Sequence, residues 1–246
     1  MTISDASSTT ERAGGLTIAL QTVTAPPLAF ERLRVTPTWG WAFLIACLLG
    51  AIGTILSVPA ALHSMSASMA HQLATNPHYA QMSEPQRRQM AASTLAAVRF
   101  GWAFVPFVLL ITALLQTIVL LIFNAIGRGQ ANFKTLWAAV MNIAIPGFGF
   151  YLFVSGIIAV IRGPSAYNSA LDSFLAMPSL AWIARHPDTA TAAFQSAFNP
   201  FSFWTLGLTG EAMVRVARTS RVNAALAASA ILTIGALISM WGGARS

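Results

Sequence analysis

Five stretches of this chain contain no Asp, Glu, Lys or Arg: residues 35–83, 100–127, 135–161, 189–210 and 222–244. Each is dominated by Leu, Ile, Ala, Val, Phe and Gly, and four hold an unbroken apolar run long enough to cross a bilayer. The hydrocarbon core of a membrane is about 30 Å thick and takes about 20 mostly apolar residues of α-helix to cross. Backbone groups in lipid must find their partners within the protein, which leaves helices and closed barrels as spanning structures. Barrel strands would alternate in polarity over about ten residues, whereas these runs are continuous. The pattern therefore predicts an all-α membrane protein, a bundle of five transmembrane helices with a short amphipathic N-terminal helix. The spans fall at Trp39–Leu62, Gly101–Ile126, Leu136–Ile161, Phe201–Ala217 and Val222–Trp241. The fourth is the shortest and carries Glu211 and Arg215.

Composition leaves little room for another class. The chain is 56% hydrophobic and 9% charged, with a mean hydropathy of +0.65, whereas soluble domains carry about 25% charged residues. The net charge of +7 would suggest nucleic acid in a soluble protein. Here the basic residues stand singly or in pairs between apolar runs, which fits loops held against anionic headgroups. The expected partners are the lipid bilayer and other membrane proteins or further copies of the chain, with no nucleic acid. Cys47 is the only cysteine, so an intrachain disulfide and a cysteine zinc site are excluded.

Residues 1–38 open on a polar segment without the features of a cleaved signal, and the first apolar run, near Trp39, is expected to remain as the first span. Residues 1–38 thus read as a cytoplasmic tail with an interfacial helix. Residues 39–246 read as the transmembrane domain, with extracytoplasmic loops at 63–100 and 162–200. Orientation follows the density of Lys and Arg in short loops. Arg12, Arg32, Arg34, Arg128, Lys134, Arg215, Arg218 and Arg221 fall on the N-terminal side, giving a cytoplasmic N-terminus and an extracytoplasmic C-terminus. Ser83-Glu84-Pro85 predicts a helix start ahead of the second span. Residues 177–184 are apolar but too short to cross, and place Trp182 at the interface.

The segment Pro26-Pro27-Leu28-Ala29-Phe30-Glu31-Arg32-Leu33-Arg34-Val35 puts Phe30 and Leu33 on one side at helical spacing, and Pro37 ends the helix before Trp39. With that entry, the short loop Gly127-Arg128-Gly129-Gln130-Ala131-Asn132-Phe133-Lys134, a proline midway along the third span (Pro146), and Asn199-Pro200-Phe201-Ser202-Phe203-Trp204 leading to the basic turn Arg218-Thr219-Ser220-Arg221, the chain resembles bacterial members of the YIP (Ypt/Rab-interacting protein) domain family. The resemblance covers Pro26 to Gly243. It implies five helices, a cytoplasmic N-terminus and a bacterial inner-membrane location. In eukaryotes it implies vesicle traffic through Rab GTPases, but no residues here read as a Rab-binding surface.

Four residues within the spans stand out: Asn142, Pro146, Glu211 and Arg215. An intramembrane acid points to function by default, but Arg215 follows Glu211 by one helical turn in the favourable order, and an internal ion pair accounts for both. Pro146 removes a backbone hydrogen bond and frees the Asn142 carbonyl four residues back, which in a transporter would mark a broken helix at a substrate site. Gly50, Gly53, Gly207, Gly210 and Gly235 are expected to let helices approach closely. His63, His71 and His78 fall at spacings that one unbroken helix would align, but Pro77 breaks it, so they read as loop histidines rather than metal ligands. No nucleophile motif, paired carboxylates, phosphate loop or zinc signature is present, and neither catalysis nor a cofactor is expected. The leading expectation is a non-enzymatic scaffold or partner subunit of a membrane assembly. The alternative is a small-solute permease or permease subunit, with its path around Asn142, Pro146 and Glu211.

Overall fold

The computed structural model describes residues 14–75, 81–184 and 187–244. All regular structure among them is helical: α1 Gly15–Thr24, α2 Pro26–Val35, α3 Gly40–Thr75, α4 Glu84–Arg99, α5 Val105–Ile126, α6 Phe133–Ala144, α7 Tyr151–Arg162, α8 Ala170–Phe174, α9 Thr189–Ser196, α10 Pro200–Arg215 and α11 Arg221–Gly243. Gly101–Phe104 is a 3-10 turn opening α5, and Ile145–Phe150 is a π turn joining α6 to α7. Four helices are long and apolar enough to cross a membrane: Gly40–Met69, Gly101–Ile126, Phe133–Arg162 and Arg221–Gly243. Most residues in their most apolar windows are not buried by protein, as expected where lipid is the solvent. In α5 the buried side is Val105, Leu109, Ala113, Thr117, Leu120 and Asn124, spaced by three or four residues. Phe107, Ile111, Leu114, Leu115, Ile118 and Ile122 are exposed on the other side. A water-facing helix would reverse that polarity.

Two expectations need revision at the second and fourth predicted spans. The loop expected from residue 63 is largely helix: α3 continues through His63 to Thr75, 36 residues in all, about 54 Å at 1.5 Å per residue. α4 follows, and at its start the Ser83 N–H and hydroxyl both donate to Gln86 Oε1 at 3.0 Å. The fourth predicted span is occupied by α10, with 16 residues, about 24 Å and short of a bilayer core. It does not stand alone. α9 and α10 both pack against α11. A Cβ on Gly243, at the end of α11, would lie 2.8 Å from the Thr189 carbonyl oxygen at the start of α9. α10 ends at the turn that opens α11. Residues 189–215 therefore descend the whole length of α11 as one path broken at Ala197–Asn199.

The glycine expectation divides. A Cβ on Gly53 would sit 2.1 Å from the Leu152 carbonyl oxygen, and one on Gly156 would sit 2.4 Å from that of Gly53, so α3 and α7 touch backbone to backbone. Gly50 lies 3.0 Å from Val105 by the same construction. Around Gly207, Gly210 and Gly235 nothing lies within 4 Å. No packed neighbour requires those three to be small.

The N-terminal helices also depart from expectation. Phe30 and Leu33 of α2 are fully buried in a core with Leu136, Ala139, Leu208 and Ala212, so α2 docks on α6 and α10 rather than presenting those side chains to headgroups. Burying two such side chains outweighs interfacial lodging by bringing them into close packing on all sides. α1, which was not expected as a helix, folds back on α2, where Arg32 Nη1 donates to Gln21 Oε1 at 2.8 Å. Ala19 of α1 is buried with Ala42 of α3 and Ile145 of the π turn, flanked by Val23 and Phe150.

At one end of the bundle, α3 and α6 begin with an aromatic cluster. Trp39 packs edge-on to Phe43 and Trp137 at 6.0 and 6.1 Å, and Trp137 stacks on Phe133 at 5.9 Å. Such rings favour the membrane–water boundary. The same end gathers the 127–132 loop and the α10–α11 turn, joined by a hydrogen bond from Gln130 N–H to the Ala217 carbonyl at 2.8 Å.

Candidate functional site

The break between α9 and α10 and the π turn between α6 and α7 face each other. Pro146, lacking an N–H, leaves the Asn142 carbonyl free of its α-helical partner, and the Ile145 N–H takes that carbonyl instead. The helix widens into the π turn, a form common at functional positions. Gly147 in that turn abuts α10, since a Cβ there would lie 2.4 Å from Thr205 Oγ1. Across from it, Asn199 is buried and closes the break: its Oδ1 accepts from Phe201 N–H at 3.0 Å and Ser202 N–H at 3.1 Å, and its Nδ2 donates to the Ser196 carbonyl at 3.0 Å. Pro200 then opens α10, where a missing N–H costs nothing.

Between these two irregular elements lies a cleft of about 280 Å³. α5 contributes Gln116, the π turn and α7 contribute Gly147 and Tyr151, and α8 contributes Phe174. Ser196 and Asn199 flank the break, Ser202, Thr205 and Thr209 come from α10, and Ser239 comes from α11. Ile231, Leu232 and Ala236 form its apolar floor. Thr205 Oγ1 donates to the Phe201 carbonyl at 2.8 Å and Ser196 Oγ to the Ala193 carbonyl at 2.8 Å, so these hydroxyls are engaged. The side chains of Gln116, Ser202, Thr209 and Ser239 make no hydrogen bond among the described residues. No Asp, Glu, Lys, Arg or His lines the cleft.

The residues singled out from sequence are not brought together. Pro146 builds the π turn beside the cleft. Asn142 faces the other way, its Nδ2 donating to the Thr38 carbonyl at 3.0 Å and the Ala138 carbonyl at 2.8 Å, which ties α6 to the entry of α3. Glu211 and Arg215 pair within α10, and Arg215 also pairs with Glu31 of α2. This trio lies at the basic end, away from the cleft, so the path through Asn142, Pro146 and Glu211 does not exist as one site. His63 lies 3.2 Å from Asn168 Oδ1; the His71 side chain and His78 fall outside the described residues. Among the described residues no group of three or more His, Cys, Asp or Glu side chains converges as metal ligands do. Asp188, just before α9, accepts from the Thr191 N–H at 2.6 Å, and its bonds to Thr191 hold its carboxyl below the usual range.

Sequence reading missed the cleft residues, although one signal was present. Ser202, Thr205 and Thr209 recur at spacings of three and four, a hydroxyl stripe along one face of α10. Compared with family models, with curated proteins and with solved structures, the chain matches none.

Proposed function

We propose that this protein is a non-enzymatic membrane protein that holds a small, uncharged polar solute in the cleft between the π turn and the α9–α10 break, in the manner of a permease or permease subunit. The observation that carries this reading is the set of four polar side chains there, Gln116, Ser202, Thr209 and Ser239, with no hydrogen-bond partner among the described residues. Thr209 is buried and the other three are half-buried, so a ligand with matching donors and acceptors would gain hydrogen bonds worth about 0.5–1.5 kcal/mol each. The absence of charge on the walls selects against ions, whose burial needs a counter-charge. The irregular backbone fits as well, since non-helical backbone at membrane depth is tolerated where it lines a cavity.

In this reading α9 and α10 together make a fifth, discontinuous crossing, which puts the termini on opposite sides, and the Lys/Arg-dense short loops then place the N-terminus in the cytoplasm and the C-terminus outside. Reporter fusions after Gln130 are expected to be cytoplasmic and fusions at Ser246 extracytoplasmic; a cytoplasmic C-terminus would show that residues 189–215 do not cross. For the site, thermal unfolding in detergent is followed across a panel of polyols, amides and small sugars. A bound solute raises the midpoint by mass action. Wild type is expected to respond to at least one solute, and Thr209→Val and Gln116→Leu are expected to lose that response. Indifference of wild type to the whole panel, or equal responses from the variants, would count against the reading.

The scaffold reading implied by the YIP resemblance is favoured by a separate feature, the outward face of α10, where Phe203 is exposed beside Gly207 while Trp204 stacks on Phe150 of the π turn at 6.3 Å. It predicts a co-purifying membrane protein in mild detergent that is lost when Phe203 is changed to Ala.

A further inference from the structure

A second pocket, of about 230 Å³, lies at the basic end of the bundle, lined by Arg34, Gln130, Ala131, Asn132, Thr135, Val216 and Arg218. We propose that it binds a phosphate group, held between Arg34 and Arg218 at the N-terminus of α6. The two arginines come from distant parts of the chain, the last turn of α2 and the α10–α11 turn. Neither has a carboxylate partner among the described residues. The acids that α2 and α10 carry, Glu31 and Glu211, are both engaged by Arg215.

Both arginines are exposed, and the backbone between them is braced by hydrogen bonds. Asn124 brackets Ala131, with Nδ2 donating to its carbonyl at 3.0 Å and Oδ1 accepting from its N–H at 3.4 Å. Gln130 N–H reaches across to the Ala217 carbonyl at 2.8 Å. A Cβ on Gly129 would lie 2.8 Å from the Ala217 carbonyl oxygen, so only glycine lets the two loops close on each other. On the far side Thr219 Oγ1 donates to the Met213 carbonyl at 3.1 Å. Asn223 Nδ2 donates to the Phe123 carbonyl at 2.9 Å, pinning α11 to α5.

Within this frame Arg218 is held at φ 55°, a left-handed conformation costly for a residue with a side chain. Guanidinium groups present forked donors that match phosphate oxygens, and the start of α6 adds the positive end of a helix dipole. Asn132 Oδ1 already caps the Thr135 N–H at 3.0 Å, which leaves the arginines as the main donors. Two sources share this chemistry: the phosphodiester of an anionic lipid headgroup and a soluble phosphate.

The test uses the full-length protein in non-ionic detergent, so that no phosphate is present at the start. One arm titrates short-chain phosphatidylglycerol, the other inorganic phosphate, with binding read by tryptophan fluorescence and by the thermal midpoint. Saturable binding is expected in at least one arm, weakened about ten-fold by Arg34→Gln and by Arg218→Gln, with Arg218→Lys intermediate. Saturation by lipid alone assigns a headgroup site, and saturation by phosphate alone assigns a soluble ligand. Arg128→Gln with Arg221→Gln removes charge from the same end outside the pocket and is expected to bind as wild type. Binding in neither arm would overturn the proposal. So would binding unmoved by the Arg34 and Arg218 variants, or weakened equally by the Arg128 and Arg221 pair.

Discussion

Arg215 is placed where a single guanidinium serves two acids. Glu211 lies one turn earlier on α10, and Glu31 reaches it from α2. Glu211→Gln leaves Arg215 paired with Glu31, and because each group is partly exposed, its loss is expected to stay below about 1 kcal/mol. Arg215→Gln removes the cation that both carboxylates share and sets two like charges side by side, so its loss is expected to exceed that of Glu211→Gln. The Glu31→Gln, Glu211→Gln double variant is expected to exceed the sum of its singles, because only then is Arg215 bare. Thermal midpoints in detergent order the four; a Glu211→Gln midpoint as low as that of Arg215→Gln would remove Glu31 from the account. At this scale the sequence was half informative. One-turn spacing announced Glu211 and Arg215, while Glu31 lies some 180 positions away and no local rule connects it. Asn142 shows the same limit. Its place four residues before Pro146 was legible, but its bond to the Thr38 carbonyl depends on how α3 enters the bundle.

Between elements, the closest approach is the crossing of α3 and α7 at Gly53 and Gly156. Gly53→Ala would force a methyl group onto the Leu152 carbonyl, which is backbone and cannot rotate away. The helices must separate, at an expected cost of about 1–3 kcal/mol or more. Gly207→Ala meets open space, and its better helix propensity is expected to leave stability unchanged or raised by up to about 1 kcal/mol. Thermal unfolding of both variants in one detergent checks the contrast; equal losses would show that the approach distance at Gly53 is not what limits the bundle. Sequence alone ranked these glycines together, because a small residue in a membrane helix carries the same signal whether it faces backbone or lipid. Helix existence was far more legible than helix function. Long apolar runs gave the four continuous spans, and Pro26, Phe30 and Leu33 gave α2. The break at Asn199-Pro200 instead read as the start of a short span, since α9 is too small and too mildly apolar to announce itself as its upper half.

For the whole molecule, the two irregular helices and the basic pocket divide the bundle into an end that carries charge and an interior that carries only hydroxyl and amide groups. That division follows from the bilayer itself, which tolerates neutral hydrogen-bonding groups in a protein-lined cleft and drives unpaired cations to its surface. The docking of α2 has a further consequence, for the order in which the protein is made. Phe30 and Leu33 leave the ribosome before Leu208 and Ala212, which complete their burial and follow roughly 180 residues later. At about 5–20 residues per second the first helices wait on the order of 10–40 s for the surface that receives them. Until α6 supplies Leu136 and Ala139, roughly 105 residues after α2, and α10 completes the site, their apolar face has α1, lipid headgroups or a chaperone to cover it. Chains truncated before Pro200 are therefore expected to show rapid amide exchange from Phe30 to Val35, and the full-length chain slow exchange there. Equal protection in both would mean that α2 settles without α10. α2 then reaches its native place only once α10 has been made, and the synthesis of α10, rather than the sequence of α2 itself, sets the moment at which this protein closes.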